Sequence, residues 1–400
     1  MTYSGRRYGR RVIGAFVAIA TGIVATAGSA VAAPAVGEVR LAGSPNAVAD
    51  SYIVVLRDAA VGARAGTARA NVAVPVKAGE LGKRYGGTVT RVYAAALNGF
   101  AVTLSASAAK RLAAHPDVAY VEQDQVVSIN ATQTNPPSWG LDRIDQRDLP
   151  LDRAYTYPNT ASNVRAYVID TGIRFSHSDF GGRAVSGYDA VDGGSADDCN
   201  GHGTHVAGTL GGATYGVAKG VHLVGVRVLN CQGSGTYAGV IAGVDWVTQN
   251  AVKPAVANMS LGGTASSTLD NAVTNSILSG VTYAVAAGNS TANACNSSPA
   301  RVTAAITVGA STSTDARAAY SNTGNCLDIW APGTSITSAW YSSNTATNTI
   351  SGTSMAAPHV AGAAALVVSV TGWPPNVVRN HLVANATTGK PASPLLFVVN

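Results

Sequence analysis

The chain has 400 residues, 12% of them charged, with a formal net charge of +6 and a pI near 9.2. Residues 1–130 hold 14 Lys and Arg against 7 Asp and Glu, whereas residues 131–400 hold 13 against 14, every one of those acids being Asp. The larger part therefore lacks the basic face that counterion release needs, which excludes a nucleic-acid partner there.

In chain order, Arg6, Arg7, Arg10 and Arg11 precede the apolar run from Val12 to Ala27, and the small residues "GSAVAA" follow. These are the three regions of a secretory signal, with cleavage expected near Ala30 to Ala33. The run is short for a bilayer span, so residues 1–33 predict export without a membrane anchor. The paired arginines leave a twin-arginine route open beside the general one.

Residues 34–130 predict a small α+β unit. "SYIVVL" from Ser51, "GFAVTL" from Gly99 and "VAYVEQD" from Val118 have strand patterns, and "SASAAKRLAAHPDV" has a helical pattern behind a serine cap. About four strands and two helices fit a split βαβ, ferredoxin-like arrangement. The tail "QVVSIN" runs into "ATQTNPP", a polar joint where a chain is exposed and easily cut.

From Ala131 to Asn400, "NVRAYVID", "HLVGVRVL", "PAVANMSL", "VTYAVAAGN" and "AAITVGAS" alternate with helix-like segments. This predicts one α/β domain, a parallel sheet covered by helices on both faces, with ligands bound beyond the strands' carboxyl ends. All four cysteines lie here, and an exported chain with an even number reads as disulfide-bonded. Three pairings are possible. Cys199 with Cys231 and Cys295 with Cys326 is the one expected, each closing a loop worth roughly 3 to 4 kcal/mol of chain entropy. No Cys-x-x-Cys occurs to favour zinc.

Three polar signals fall where strands end or helices begin. Asp170 closes "VRAYVID", His202 lies in "NGHGTHVAG" and Ser354 lies in "SGTSMAAPHVAG". A serine hydroxyl is a poor nucleophile until an imidazole takes its proton, and the imidazole needs a carboxylate to hold its tautomer. These segments resemble the signatures of subtilisin-like serine peptidases, which share the order Asp, His, Ser. "WGLDRIDQRDLPL", "YGVAKGVHLVGVRVL" and "GSGTYAGVIAGVDWV" are similar to the proteinase K branch, especially its aqualysin-like members. The resemblance covers nearly all of residues 131–400, and the preceding unit resembles the inhibitor-type prodomain of the same family.

The resemblance implies Asp170 as orienting acid, His202 as base and Ser354 as nucleophile, with His205 packed inside the helix that follows. It implies Asn289, after "VTYAVAAG", as an oxyanion donor beside the Ser354 amide. Ser260, Leu261 and Gly262, with Gly233, Ser234 and Gly235, are similar to edge strands that bind an extended peptide. Ala286, Ala287 and Gly288 would line a small uncharged pocket, implying broad cleavage after apolar or aromatic residues, with Tyr237 near a second pocket. Asp142, Asp145, Gln146 and Asp152 offer hard oxygen donors for structural Ca²⁺, although Ala154 stands where some relatives carry a further oxygen. A second calcium set would use the Asp328 carboxylate and the carbonyls of Thr303 and Ala305. Asp197 and Asp198 could hold another ion and are assigned no further role. The expected partners are protein or peptide substrates and the chain's own prodomain, an intramolecular inhibitor released by self-cleavage after Asn130. The enzyme is expected to act as a monomer.

Rival readings fail on particular residues. A zinc pair at His202 and His205 lacks His-Glu-x-x-His and a third ligand, and a nucleotide loop lacks Gly-x-Gly-x-x-Gly. An α/β-hydrolase needs an acid after its serine, and no Asp or Glu follows Ser354. An aspartic peptidase needs two carboxylates, but "DTG" at Asp170 occurs once. A catalytically silent peptide-binding relative is the alternative from another class, disfavoured by the intact Asp170, His202, Ser354 and Asn289.

Overall fold

The computed structural model describes residues 35–44, 47–125 and 131–398. The expected signal at residues 1–33 and the expected cut after Asn130 lie outside the described residues.

The first unit is a five-stranded sheet in the order Val39–Arg40, Val118–Gln125, Ala47–Leu56, Gly99–Thr103, Thr88–Tyr93. Its pairings are antiparallel except the first, which is parallel. Two longer helices, Ala68–Tyr85 and Ala106–Ala113, cover it, and each begins where a hydroxyl replaces a missing backbone partner. Thr67 Oγ1 accepts from the Ala70 amide and Ser105 Oγ from the Ala108 amide. The second helix ends before Pro116, earlier than its sequence pattern predicts, because the residue before a proline is driven out of the helical region. Val54, Val74, Leu81, Phe100, Leu112 and Val121 close the core between sheet and helices.

The second unit carries seven parallel strands. Their spatial order is Ile329–Pro332, Ile306–Ser311, Thr282–Ala286, Ala255–Met259, Arg165–Asp170, His222–Arg227, Ala184–Asp189. In Arg165–Asp170 the side chains alternate between faces: Ala166 and Val168 join one core, Tyr167 and Ile169 the other. Helices His202–Gly211 and Thr353–Thr371 belong to the first core, and Tyr237–Asn250 and Ser267–Leu278 contribute to the second. From Arg165–Asp170 the chain goes to the edge strand Ala184–Asp189, comes back with His222–Arg227 between the two, and then builds outward on the other side. The carboxyl end of that strand is therefore the switch point at which open α/β sheets hold ligands.

Thr353–Thr371 is the only helix among the described residues long and apolar enough to cross a membrane, with mean hydropathy 1.4. Fourteen of its 19 residues are buried, and it is a core helix, packed on strands Thr282–Ala286 and Ile306–Ser311 and on helix His202–Gly211. Both expected disulfides are formed, Cys199 to Cys231 and Cys295 to Cys326.

Candidate active site

Asp170 ends its strand fully buried. Its Oδ1 accepts from the Thr171 amide at 2.7 Å and lies 2.7 Å from Nδ1 of His202. Its Oδ2 has no hydrogen-bond partner. His202 opens helix His202–Gly211 after Gly201, whose φ of +110° is left-handed, and a Cβ there would lie 2.5 Å from the Trp340 ring. Only glycine lets the chain enter this helix so close to that indole. The imidazole remains 26% exposed and faces a groove. Burial pushes its pKa down, but the charge and hydrogen bond of Asp170 and then the charge of Asp198 outweigh it, so the net shift is upward.

His205, one turn on, is fully buried, and its Nε2 lies 2.9 Å from the Ile336 carbonyl, the geometry of an N–H donor to that oxygen. Burial lowers its pKa to about 4. The two histidines thus differ in what surrounds them: one faces the groove, the other is enclosed.

Ser354 lies in the first turn of Thr353–Thr371 and is clasped to Ser260 from both sides. Ser260 Oγ donates to the Ser354 carbonyl at 2.8 Å, and Ser354 Oγ donates to the Ser260 carbonyl at 3.2 Å. Among the described residues no hydrogen bond joins Ser354 Oγ to His202. Buried Asn258 extends the clasp, its Nδ2 donating to Ser260 Oγ at 2.8 Å. Asn289 Oδ1 accepts from Thr353 N at 2.8 Å and Thr353 Oγ1 at 2.9 Å, which fixes which end of its amide faces outward. A Cβ on Gly352 would lie 3.4 Å from Asn289 Nδ2 and 3.6 Å from Ser354 N. The Asn289 amide and the Ser354 backbone N–H therefore lie on the same side of Gly352, a residue without a side chain.

Gly233, Ser234, Gly235 and Tyr237 line one wall of a groove of about 540 Å³, and Ser260, Leu261 and Gly262 line the other, with His202 between them. The Cys199–Cys231 bond ties the loop ahead of His202 to the loop that carries Gly233. A second cavity of about 390 Å³ is lined by Ala286, Ala287, Gly288, Asn289 and Ser354, with Asn296 and Ala300 deeper in sequence, and no charged residue lines it. Its wall is braced by Asn322, which sequence patterns did not single out. Asn322 Nδ2 donates to the Ala287 carbonyl at 2.9 Å, and its Oδ1 accepts from the amides of Ser290 and Ala292 at 3.0 and 2.9 Å. Gly288, at φ +102°, leaves room for it: a Cβ would lie 2.4 Å from Asn322 Nδ2.

The oxygen-rich stretch after Trp139 folds on itself. Asp142 accepts from the amides of Asp152 and Arg153, Gln146 Oε1 from Asp152 N, and Asp145 Oδ2 from Thr156 N at 2.5 Å. Asp145 Oδ1 is buried with no partner. Burial, with Asp152 and Asp142 nearby, pushes the Asp145 pKa up to about 7. Among the described residues no three His, Cys, Asp or Glu side chains form a closed metal cluster. Asp328 is differently placed. Its carboxylate accepts from Thr307 N at 2.8 Å and pairs with Arg379, so a positive charge already occupies it.

A doubly covered parallel sheet with these groups at its strand ends has the build of a serine hydrolase. Comparison with known proteins narrows the class. The model of the Subtilase family matches residues 162–398, and that of Peptidase inhibitor I9 matches residues 51–130. The chain is 62% identical over 313 residues to an extracellular serine proteinase of Thermus sp. (strain Rt41A), covering 78% of this chain and 73% of that protein. It is 56% identical over 310 residues to alkaline serine exoprotease A of Vibrio alginolyticus, covering 76% of this chain but 58% of that longer protein. The crystal structure of a cold-adapted subtilisin-like serine proteinase is similar with a TM-score of 0.64 at 54% identity, covering 69% of this chain and all of that one. The chain belongs to the subtilase family of serine proteinases, preceded by an inhibitor-type prodomain.

Proposed function

We propose that the chain is a secreted serine endopeptidase, divided into a signal (residues 1–33), a prodomain (34–130) and a peptidase domain (131–400), working through Asp170, His202 and Ser354. The observation that carries this reading is the 2.7 Å contact between His202 Nδ1 and buried Asp170, which leaves the other ring nitrogen free on the groove side. Asp170 holds the imidazole with its proton on Nδ1, so Nε2 is the basic nitrogen. Catalytic hydrogen bonds often close only when substrate is bound, and Ser354 Oγ reaches Nε2 by leaving the Ser260 carbonyl. As the hydroxyl attacks the peptide carbonyl its proton passes to Nε2. The carbonyl oxygen becomes an oxyanion held by Asn289 Nδ2 and Ser354 N. Nε2–H then protonates the leaving amine, and water repeats the cycle in reverse to free the acyl group.

The extended substrate adds a strand between the segments of Gly233–Gly235 and Ser260–Gly262, with Tyr237 beside an upstream residue. The uncharged cavity around Ala286, Ala287 and Gly288 favours apolar and aromatic side chains before the cut bond, because a charge buried there would have no partner. If the tail of the prodomain enters this cleft as a substrate would, cleavage after Asn130 releases the enzyme with Ala131 first. Calcium, when bound, supplies charge neutralisation to a crowded acidic loop. Asp142, Asp145, Gln146 and Asp152 would hold it, and the partnerless Asp145 oxygen supports that fit. A cation at Asp328, Thr303 and Ala305 would have to displace Arg379. The Thermus relative, named an extracellular proteinase, supports export.

A fluorophosphonate should label the enzyme at Ser354, and the Ser354→Ala precursor should remain unlabelled and uncut after Asn130. Labelling of the Ser354→Ala chain, or its ordinary maturation alone, would refute the assignment. A cleavage profile on mixed peptides tests the pocket; a majority of cuts after charged residues would overturn the specificity.

A further inference from the structure

Asp198 has no role in the family signatures, and its surroundings argue against the ion site its acidity permits, because five donors leave its two oxygens no lone pair to offer a cation. Oδ1 accepts from Thr171 Oγ1, Asn200 N and Gly201 N, each at 2.9 Å. Oδ2 accepts from Thr204 N at 2.9 Å and Thr204 Oγ1 at 2.5 Å. The residue is 8% exposed, and five donors offset the cost of burying its carboxylate. Those donors are placed with a pattern. Thr171 directly follows Asp170, whereas Asn200, Gly201 and Thr204 bracket His202. The Thr171 hydroxyl, while donating to Asp198, accepts from the Gly203 amide at 2.9 Å. The residue after the acid is thus locked to the residue after the base.

We propose that Asp198 is a positioning residue for the reaction: it fixes the His202 ring against Asp170 and provides the second negative charge that acts on this ring. The proposal rests on the reading of His202 as the base. A helix start is favoured by an anion, but an ordinary cap serves only its own helix. Here one carboxylate joins the end of strand Arg165–Asp170 to the start of helix His202–Gly211, the two elements whose spacing sets the 2.7 Å contact. The charged groups that act on His202 are Asp170, in contact with the ring from the strand, and Asp198, held in the loop that leads into it. His205 on the next turn is held neutral by burial. Arg227, on the neighbouring strand, is committed to Asp189 and Asp192 at 2.9 Å each. When the ring accepts the Ser354 proton, both carboxylates stabilise the resulting cation, and the raised pKa of His202 agrees in sign.

The test uses the mature enzyme with a peptide substrate, measuring kcat and KM across pH. Asp198→Asn should lower kcat about tenfold or more with KM little changed, and should move the acid limb of kcat/KM to lower pH. Thr171→Val, which removes the link but leaves the charge, should lower kcat with the limb unmoved, and Thr171→Ser should restore it. A purely structural role would not separate these two signatures. If Asp198→Asn does not mature, the His202 ring can be titrated by NMR in the Ser354→Ala precursor with and without Asp198→Asn, and should lose its proton at lower pH in the double variant. An unmoved limb or titration, or an unchanged kcat, in a fluorophosphonate-reactive wild type would overturn this proposal alone. Failure of the wild type to react would overturn the reading beneath it as well.

Discussion

Around Asp198 every carboxylate oxygen meets an N–H or O–H, whereas Asp145 keeps a buried oxygen with no partner and has Asp142 and Asp152 as neighbours. Both regions hold aspartates in or beside a helix end. The first is complete as protein, and its order serves the His202 ring. The second is short of positive charge, and on the proposed reading a cation from outside would complete it. A buried acid is therefore informative through its donors more than through its position in sequence.

The comparison breaks first at Asp170. Asp170→Asn should reduce kcat by about 10⁴-fold through the wrong imidazole tautomer, while thermal unfolding followed by circular dichroism stays close to wild type. A loss below tenfold would remove the region around Asp198 from catalysis. Asn289→Ala should cost about 100 to 1,000-fold in kcat at similar KM, read on the same substrate. The loss expected at the other region is of stability. Chelation should destabilise the enzyme by about 2.7 kcal/mol relative to free Ca²⁺ at a hundred times its Kd, with active-site labelling intact below the melting transition. An unchanged melting temperature would mean that no cation completes the Asp145 loop.

Two smaller effects sharpen the contrast. The base must be neutral, so a raised His202 pKa means that activity falls away as pH drops through a value above the ordinary imidazole value of about 6.5. A kcat/KM profile with its acid limb below that value would contradict the charges assigned to the ring. Asp145→Asn removes repulsion in the absence of calcium and a ligand in its presence. Its melting temperature in chelator should match or slightly exceed that of wild type, and should gain little from added calcium.

The sequence disclosed most of this where side-chain chemistry was written into a short motif. Asp170, His202, Ser354 and Asn289 each stand in such a segment, and five sheet strands announce themselves as Val-rich runs. Two strands did not. Ala184–Asp189, "AVSGYD", is an edge with polar residues and a glycine, and Ile329–Pro332, "IWAP", is four residues long and ends in proline. Neither carries the periodicity that marks a buried strand. Asp198 and Asn322 were illegible for a different reason. Their partners are mostly backbone amides brought together by folding, and an amide leaves no mark in the residue string. Arg379 at Asp328 is a contact between residues 51 apart in sequence, equally invisible beforehand.

Ser354 rides on the most apolar long helix of the described chain, with 14 of its 19 residues buried beneath sheet and neighbouring helix. Such a segment has no stable home in water until the strands that cover it are assembled. The reactive hydroxyl is consequently presented only by a molecule whose interior is finished. If Ser354 is the proposed nucleophile, a half-folded copy would carry the serine with nothing to hold it ready, a safeguard that would come from greasiness alone.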